Sequence, residues 1–291
     1  MDNNIFVSVL ITTYKHKEFL SQCIDSIITQ TTAFNFEILV GVEFDDLESI
    51  DYIPANRNQA KVNLKYIISS KENLIFINNQ RTGRGNFINL LENAKGKYIA
   101  LCEGDDYWTD PYKLQKQVDF LEANPDFNIC FTQANTLKEN KLELHPIPPI
   151  SPNGIYTFDD LLEHYNFITT ASVVFRKKFS KIPEWIYQLP YGDMGLYFLV
   201  SKDAKIKCLP EITSVYRIHE KGMWSSVNKL KKVETQLKFY QVIYNQLNSH
   251  QKQLVKIKQK ALITKISYQL YKKNRLLRVL KRIQLSNKYK L

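Results

Sequence analysis

Cys102-Glu103-Gly104-Asp105-Asp106-Tyr107-Trp108-Thr109-Asp110-Pro111 (CEGDDYWTDP) crowds three carboxylates into four residues. Just upstream, Tyr98 to Cys102 (YIALC) is a short apolar run behind Gly96, the pattern of a buried strand. Just downstream, Pro111 suits the first turn of a helix, and the Asp110 carboxylate can accept from N–H groups left free there. Leu114, Val118 and Leu121 then share one helical face. A strand that ends in like charges and passes into a helix is a unit of an open α/β sheet, where ligands bind beyond the carboxyl ends of the strands.

The same alternation extends in both directions. Ile5 to Thr12 reads as a strand, and Glu18 to Thr29 as a helix with Phe19, Leu20, Cys23, Ile24, Ile27 and Ile28 on one face. Glu37 to Val42 and Leu64 to Ile68 are further strands. Asn86 to Ala94 is a helix with Phe87, Leu90, Leu91 and Ala94 inward. Beyond the third helix, Ile129 to Thr132, Ala171 to Arg176 and Thr213 to Ile218 read as strands, and His145 to Gly154 (HPIPPISPNG) as a Pro-rich loop. Strands separated by helices of this length predict βαβ units: an α/β fold with a Rossmann-like, mainly parallel sheet and helices on both faces.

Composition sets the outer limits. A hydrophobic fraction of 44% over 291 residues allows a sizeable core. No run of about 18 apolar residues occurs, which predicts no membrane-spanning helix. The first apolar segment lacks a basic lead and is too short for a signal peptide. Cys23, Cys102, Cys130 and Cys208 are widely spaced, three of them in apolar runs, and read as core residues in a reducing compartment. The net charge of +11 hides a division. From Lys229 onward stand 17 Lys and Arg and one acid, Glu234, while the first 228 residues hold 23 basic and 28 acidic residues. A mildly acidic domain over 1–228 and a basic extension over 229–291 follow from that split.

Three strand ends carry polar chemistry: Thr12-Thr13-Tyr14, Glu43 with Asp45 and Asp46, and Glu103 with Asp105 and Asp106. Crowded carboxylates raise one another's pKa unless a cation neutralises them. Hard oxygen donors favour Mg²⁺ or Mn²⁺, whose shells are commonly completed by water and substrate phosphates. A solvated acidic turn is the competing reading, and the local sequence leaves both open.

The segments VSVLITTYKHKEFLSQCIDSIITQ, EILVGVEFDD, GRGNFINLLENAKGKYIALCEGDDYWTDPYKLQKQVDFL and YGDMGLYFLVSKDAKIKCLPEITSVYRIHEKGMWSS, in that order, resemble the family 2 glycosyltransferases of GT-A fold. The resemblance spans about Ile5 to Ser226 and implies the site residues. Thr12, Thr13 and Tyr14 match the segment that cradles the nucleotide base. Glu43 stands where the family usually has an Asp facing the uracil ring. Arg81 or Arg84 approaches base or diphosphate. Glu103-Gly104-Asp105-Asp106 matches the DXD region with Glu first, so Asp105 is implied for ribose and metal, Asp106 for metal, and Glu103 as a third acid. Nucleotide binding is thus implied over about 1–110 and acceptor binding over about 111–228. Asp193, after Tyr191-Gly192, matches the catalytic base at a helix start, where a carboxylate within hydrogen-bond reach can take the acceptor hydroxyl proton. Read without the resemblance, Asp193 is a helix cap. Tyr216-Arg217-Ile218-His219 with Gly222, Trp224 and Ser225 matches a loop that closes on the donor, which implies Arg217 for phosphate and His219 for metal or phosphate. Trp108 and Trp224 are candidate sugar-stacking faces, or half-buried rim aromatics.

The extension is nearly free of Gly and Pro from Leu230 to Leu285 and reads as helix. Tyr268, Tyr271, Leu276, Leu277, Val279, Leu280 and Ile283 alternate with Lys272, Lys273, Arg275, Arg278, Lys281 and Arg282. That pattern fits an interfacial helix on anionic lipid, or helices packed on the body or on a second subunit. Nucleic acid ranks last, because the body has no basic stripe.

Together these readings predict a metal-dependent (Mn²⁺ or Mg²⁺), inverting glycosyltransferase. It would move a sugar from a UDP-sugar to a glycan or lipid-linked glycan in surface polysaccharide or lipopolysaccharide synthesis. Its expected place is cytoplasmic, peripheral at the inner face of the membrane. A nucleotidyltransferase, which needs a nucleoside triphosphate, and a non-catalytic membrane- or partner-binding scaffold are the alternatives.

Overall fold

The computed structural model describes residues 5–50, 62–77, 80–148, 151, 153–190, 192–220, 222 and 227–289. The chain opens with β1 (Val7–Thr13), α1 (Lys17–Ile28), β2 (Phe36–Glu43) and β3 (Val62–Ser69). A small hairpin of β4 (Ile75–Ile77) and β5 (Gln80–Thr82) leads into α2 (Arg84–Asn93). Then come β6 (Tyr98–Glu103), β7 (Tyr107–Trp108), α3 (Lys113–Ala123), β8 (Phe127–Lys138), β9 (Lys141–Leu144) and β10 (Ile155–Tyr156). The second half holds α4 (Phe158–His164), β11 (Val173–Arg176), α5 (Glu184–Tyr187), α6 (Gly192–Ser201) and β12 (Lys205–Ile218). It ends in α7 (Lys229–Ile243), α8 (Ser249–Leu270) and α9 (Arg275–Tyr289).

One large sheet runs in the order β10-β12-β8-β11-β6-β1-β2-β3, with β7 on β12 and β9 on β8. Pairing is parallel through β3-β2-β1-β6 and again between β8 and β12. β11 is inserted antiparallel between β6 and β8, so the sheet is mixed.

The period of two in the strands divides the core. Val7, Val9 and Ile11 of β1 point to one layer with Tyr98, Ala100 and Cys102 of β6, under α1 and α3. Leu10, Leu39, Ile99 and Leu101 point to the other, under α2, α4 and α6. This near-continuous apolar content is what a strand buried on both faces requires.

The basic extension is three helices, not one. Asn248 ends the first break, accepting from the Gln251 backbone N–H in a capping box at the start of α8. Asn274 accepts from Leu277 N–H at the start of α9. Asparagine caps supply the punctuation for which no Gly or Pro is present. The first two helices join the body: Phe239, Tyr240, Ile243 and Val255 lie in the same core layer as α4 and α6. Tyr240 also donates to the Leu162 carbonyl at 2.7 Å.

Candidate active site

Parallel strands align their carboxyl ends, and that alignment assembles the site. Thr12 and Glu103 are register partners on β1 and β6, and the Thr12 hydroxyl donates to the Glu103 carboxylate. Glu43 and Ser69 are register partners on β2 and β3, with Ser69 Oγ donating to Glu43 Oε2 at 3.0 Å. Gly104 lets the acidic turn lie against the end of β1: a Cβ there would come within 3.0 Å of Thr13 Oγ1 and 3.1 Å of His16 Nδ1. Lys15, in the left-handed region at φ 60°, turns the chain out of β1, and its N–H donates to Asp46 Oδ2 at 2.6 Å.

On the β2 side, Arg81 forms a two-pronged pair with Asp45, Nη1–Oδ2 2.5 Å and Nη2–Oδ1 2.7 Å, and reaches Glu43 Oε2 at 3.1 Å. Its guanidinium also lies 4.9 Å from the centre of the Tyr14 ring. The Arg81 bond holds the Asp45 carboxyl below the ordinary carboxylate range. Tyr14, Glu43 and Arg81 therefore form one corner, where the sequence expected the base.

The acidic turn faces the end of β12. Asp106 is fully buried; its Oδ1 accepts from the Arg217 N–H at 2.9 Å, and its Oδ2 has no partner among the described residues. Burial, with Asp105 and Cys102 adding, pushes its pKa well above the ordinary value. The Arg217 guanidinium donates to the Asp105 carbonyl and to Gln22, and lies over the rings of Phe19 (4.9 Å) and Tyr107 (4.5 Å). It staples the post-β12 loop onto the acidic turn. Two residues on, His219 Nε2 reaches Asp105 Oδ2 at 2.9 Å. His16 Nε2 approaches the same oxygen at 3.7 Å.

Asp193 sits in the first turn of α6, and its Oδ2 accepts from Asn166 Nδ2 at 3.2 Å. Burial raises its pKa. Burial pushes Glu103 up to about 8, with the charges of Asp105 and Asp193 adding, so Asp193 and the acidic turn share one field. Tyr216 lies in that field too: burial raises its pKa first, and Asp106, Asp105, Glu103 and Asp193 raise it further.

Two expected contacts differ from the sequence reading. Trp108 is 4% exposed, because β7 pairs it into the sheet against Ser214, and Lys113 Nζ lies 4.2 Å from its ring centre. It is a core residue and offers no sugar-stacking face. Arg84 is buried at the start of α2 and donates to the Tyr187 carbonyl at 2.8 Å. Burial drops its pKa to about 10, and the charge of Asp193 opposes the drop. Trp224 lies outside the described residues. His16 and Asn166 are the site residues that the sequence reading does not name: His16 follows the strand-end Thr12-Thr13-Tyr14, but Asn166 carries no sequence signal.

Among the described residues no group of three or more His, Cys, Asp or Glu side chains is gathered at metal-binding geometry. The Asp105–His219 pair nevertheless fits a divalent cation. Donors about 3 Å apart are neighbours on an octahedron with bonds of about 2.1 Å; the carboxylate suits Mn²⁺ or Mg²⁺ completed by phosphate oxygens and water, and the imidazole nitrogen favours Mn²⁺ of the two. Thr13 Oγ1, His16 Nδ1 and Asp106 Oδ2 are buried around this pair without partners among the described residues, an arrangement a bound polar ligand or water would satisfy.

Comparison with known proteins bears on the family and the fold. The family profile described as Glycosyl transferase family 2 matches residues 8–183. An uncharacterised protein of Mycobacterium tuberculosis is 31% identical over 223 residues, 76% of this chain and 61% of its own length. The chain thus spans about three-fifths of that mycobacterial relative. The Escherichia coli UDP-Glc:alpha-D-GlcNAc-diphosphoundecaprenol beta-1,3-glucosyltransferase WfaP is 25% identical over 232 residues, 78% of this chain and 82% of WfaP. In fold, S. aureus TarS 1-349, solved in complex with UDP-GlcNAc, superposes with a TM-score of 0.64 over 98% of this chain and 80% of TarS, at 14% identity.

Proposed function

Because this chain belongs to glycosyltransferase family 2, we propose that it transfers a sugar from a UDP-sugar to a lipid-linked glycan, with Asp193 as the base and inversion at the anomeric carbon. The observation that carries this reading is the Asp105–His219 contact beyond the carboxyl end of β6, with Nε2 2.9 Å from Oδ2. The donor class rests on the UDP-sugars in the names of WfaP and of the TarS complex, and the acceptor class on the diphosphoundecaprenol acceptor of WfaP.

The chain's own residues supply the rest. Tyr14, Glu43 and Arg81 hold the nucleotide end. Asp105, with His219, faces the diphosphate. Asp193, its carboxyl oriented by Asn166 and the first-turn N–H groups of α6, accepts the proton of an acceptor hydroxyl. That oxygen attacks the anomeric carbon opposite the leaving group. The new glycosidic bond forms as the bond from carbon to phosphate oxygen breaks, and its electron pair leaves on UDP. Its raised pKa makes Asp193 a stronger proton acceptor than an ordinary carboxylate. When bound at Asp105 and His219, Mn²⁺ or Mg²⁺ supplies Lewis-acid neutralisation of the departing diphosphate. Asp106, with one buried oxygen unpartnered among the described residues, stands behind the pair. A role in surface polysaccharide or lipopolysaccharide assembly follows from the lipid-linked acceptor.

The test is turnover of a panel of UDP-sugars on diphosphoprenol-linked acceptors, with release of UDP as readout. Product formation by the wild type and its loss in Asp193→Asn support the reading. Release of pyrophosphate from a nucleoside triphosphate would replace it with nucleotidyl transfer.

A further inference from the structure

We propose that the outward face of α9 docks on an anionic lipid bilayer. The inference stands on α9 alone and is independent of the chemistry assigned to the active site.

The helix is anchored on one side. Leu285 and Tyr289 turn inward onto Leu237, Ile263 and Ile266. Lys288 Nζ pairs with Glu234 at 3.0 Å, and the Tyr289 hydroxyl donates to the Glu234 carbonyl at 3.2 Å. With that side fixed, about 100° per residue sends Leu276, Val279, Leu280 and Ile283 to the opposite side. All four are exposed, Leu276 at 69%, Leu280 at 52% and Ile283 at 51%. A surface helix in water shows the reverse pattern, apolar toward the core and polar outward.

The rims of this apolar stripe are cationic. Arg275 and Arg282 border one edge, Lys281 the other, and Lys272 and Lys273 precede the helix. From Tyr271 to Tyr289 the chain has seven Lys and Arg and no acid. Exposed Tyr268, at the end of α8, meets the anchored side of α9, with the Arg278 guanidinium 5.3 Å from its ring centre, and is no part of the stripe.

An apolar centre between basic rims matches hydrocarbon bordered by anionic headgroups. Nucleic acid would meet leucine and isoleucine where phosphates need cations. A second copy joined through the same face would bring two acid-free basic segments together. Among the described residues no helix is long and apolar enough to cross a membrane, so the contact is one of lying on the surface.

The test is co-sedimentation of the full chain with phosphatidylcholine vesicles, with and without phosphatidylglycerol. Binding is expected on the anionic vesicles only and should weaken with salt. Leu276→Asp with Leu280→Asp should weaken it about tenfold or more, as should Lys272→Glu with Lys273→Glu and Arg275→Glu. These sites are exposed, so the melting temperature and UDP binding should hold. Failure of the wild type to bind anionic vesicles, or equal binding by the variants, would overturn the proposal. So would a solution dimer that Leu280→Asp converts to a monomer, because the face would then belong to a second copy.

Discussion

Lys113 allows a quantitative test of the core behind the acidic turn. Its side chain is 0% exposed, with Nζ donating to Gln117 Oε1 at 2.8 Å and lying over Trp108. Burial pushes its pKa from the ordinary 10.5 down to about 7. At about 1.4 kcal/mol per pH unit, that difference corresponds to about 5 kcal/mol of destabilisation at and below pH 7. The sign follows from proton counting. Between pH 7 and 10.5 the unfolded chain holds a proton that the folded chain lacks, so folding stability rises with pH across that window. The Trp108 ring favours the charged form by up to about 2 kcal/mol, which lowers the figure. Lys113→Met keeps the volume and removes the ionisable group. It leaves Gln117 Oε1 without this donor, a roughly constant loss of about 1–3 kcal/mol. The difference in unfolding free energy between Lys113→Met and wild type, from urea titrations at each pH, should favour Met most near pH 7. It should then fall by about 1.4 kcal/mol per unit toward pH 10.5. The constant Gln117 loss shifts this line without tilting it. A difference that does not change with pH would refute the account of Lys113 as a buried, largely neutral amine.

Three further outcomes are expected. Asp193→Asn should lower transfer about a hundredfold or more while UDP affinity stays near wild type, measured by turnover and calorimetry. Arg81→Ala should weaken UDP binding about tenfold by freeing Glu43 and Asp45 at the nucleotide corner, with the melting temperature reporting any loss of fold. Glu103 is pushed up to about 8 by burial, so the folded chain keeps a proton that the unfolded chain gives up above about pH 4.5. Stability without metal should therefore fall as pH rises from about 4.5 to 8, and Glu103→Gln should flatten that slope in thermal melts.

The strands and helices of the first half were legible because a two-sided sheet demands continuous apolar runs. YIALC and EILVGV are those runs, and each stops where its polar end begins. The reversal of β11 between β6 and β8 was not legible: Val173-Val174-Phe175 packs equally well in either direction. The β8–β9 hairpin was missed because its turn uses Glu139 and Asn140, both at positive φ, and no glycine marks it. At the site, Glu43, Asp105 and Asp106 could be picked out because acids crowd the ends of apolar strands, whereas Asp193 came only with the family resemblance, since an acid at a helix start is an ordinary cap. Trp108 was misread because a two-residue strand carries no period. The partners of Arg217 were hidden because Gln22 and Phe19 reach it from a helix 195 residues and more away in sequence.

The most direct test of the central claim is the thermal shift produced by UDP with and without Mn²⁺, in wild type, Asp193→Asn and Asp105→Asn. A ligand at 100 times its Kd that binds only the folded state adds about 2.7 kcal/mol, several degrees for a chain of this size. The account predicts a Mn²⁺-dependent rise in wild type and Asp193→Asn that is lost in Asp105→Asn. A rise that ignores Mn²⁺, or that survives in Asp105→Asn, would contradict the pairing of Asp105 with His219 as the place where cation and diphosphate meet.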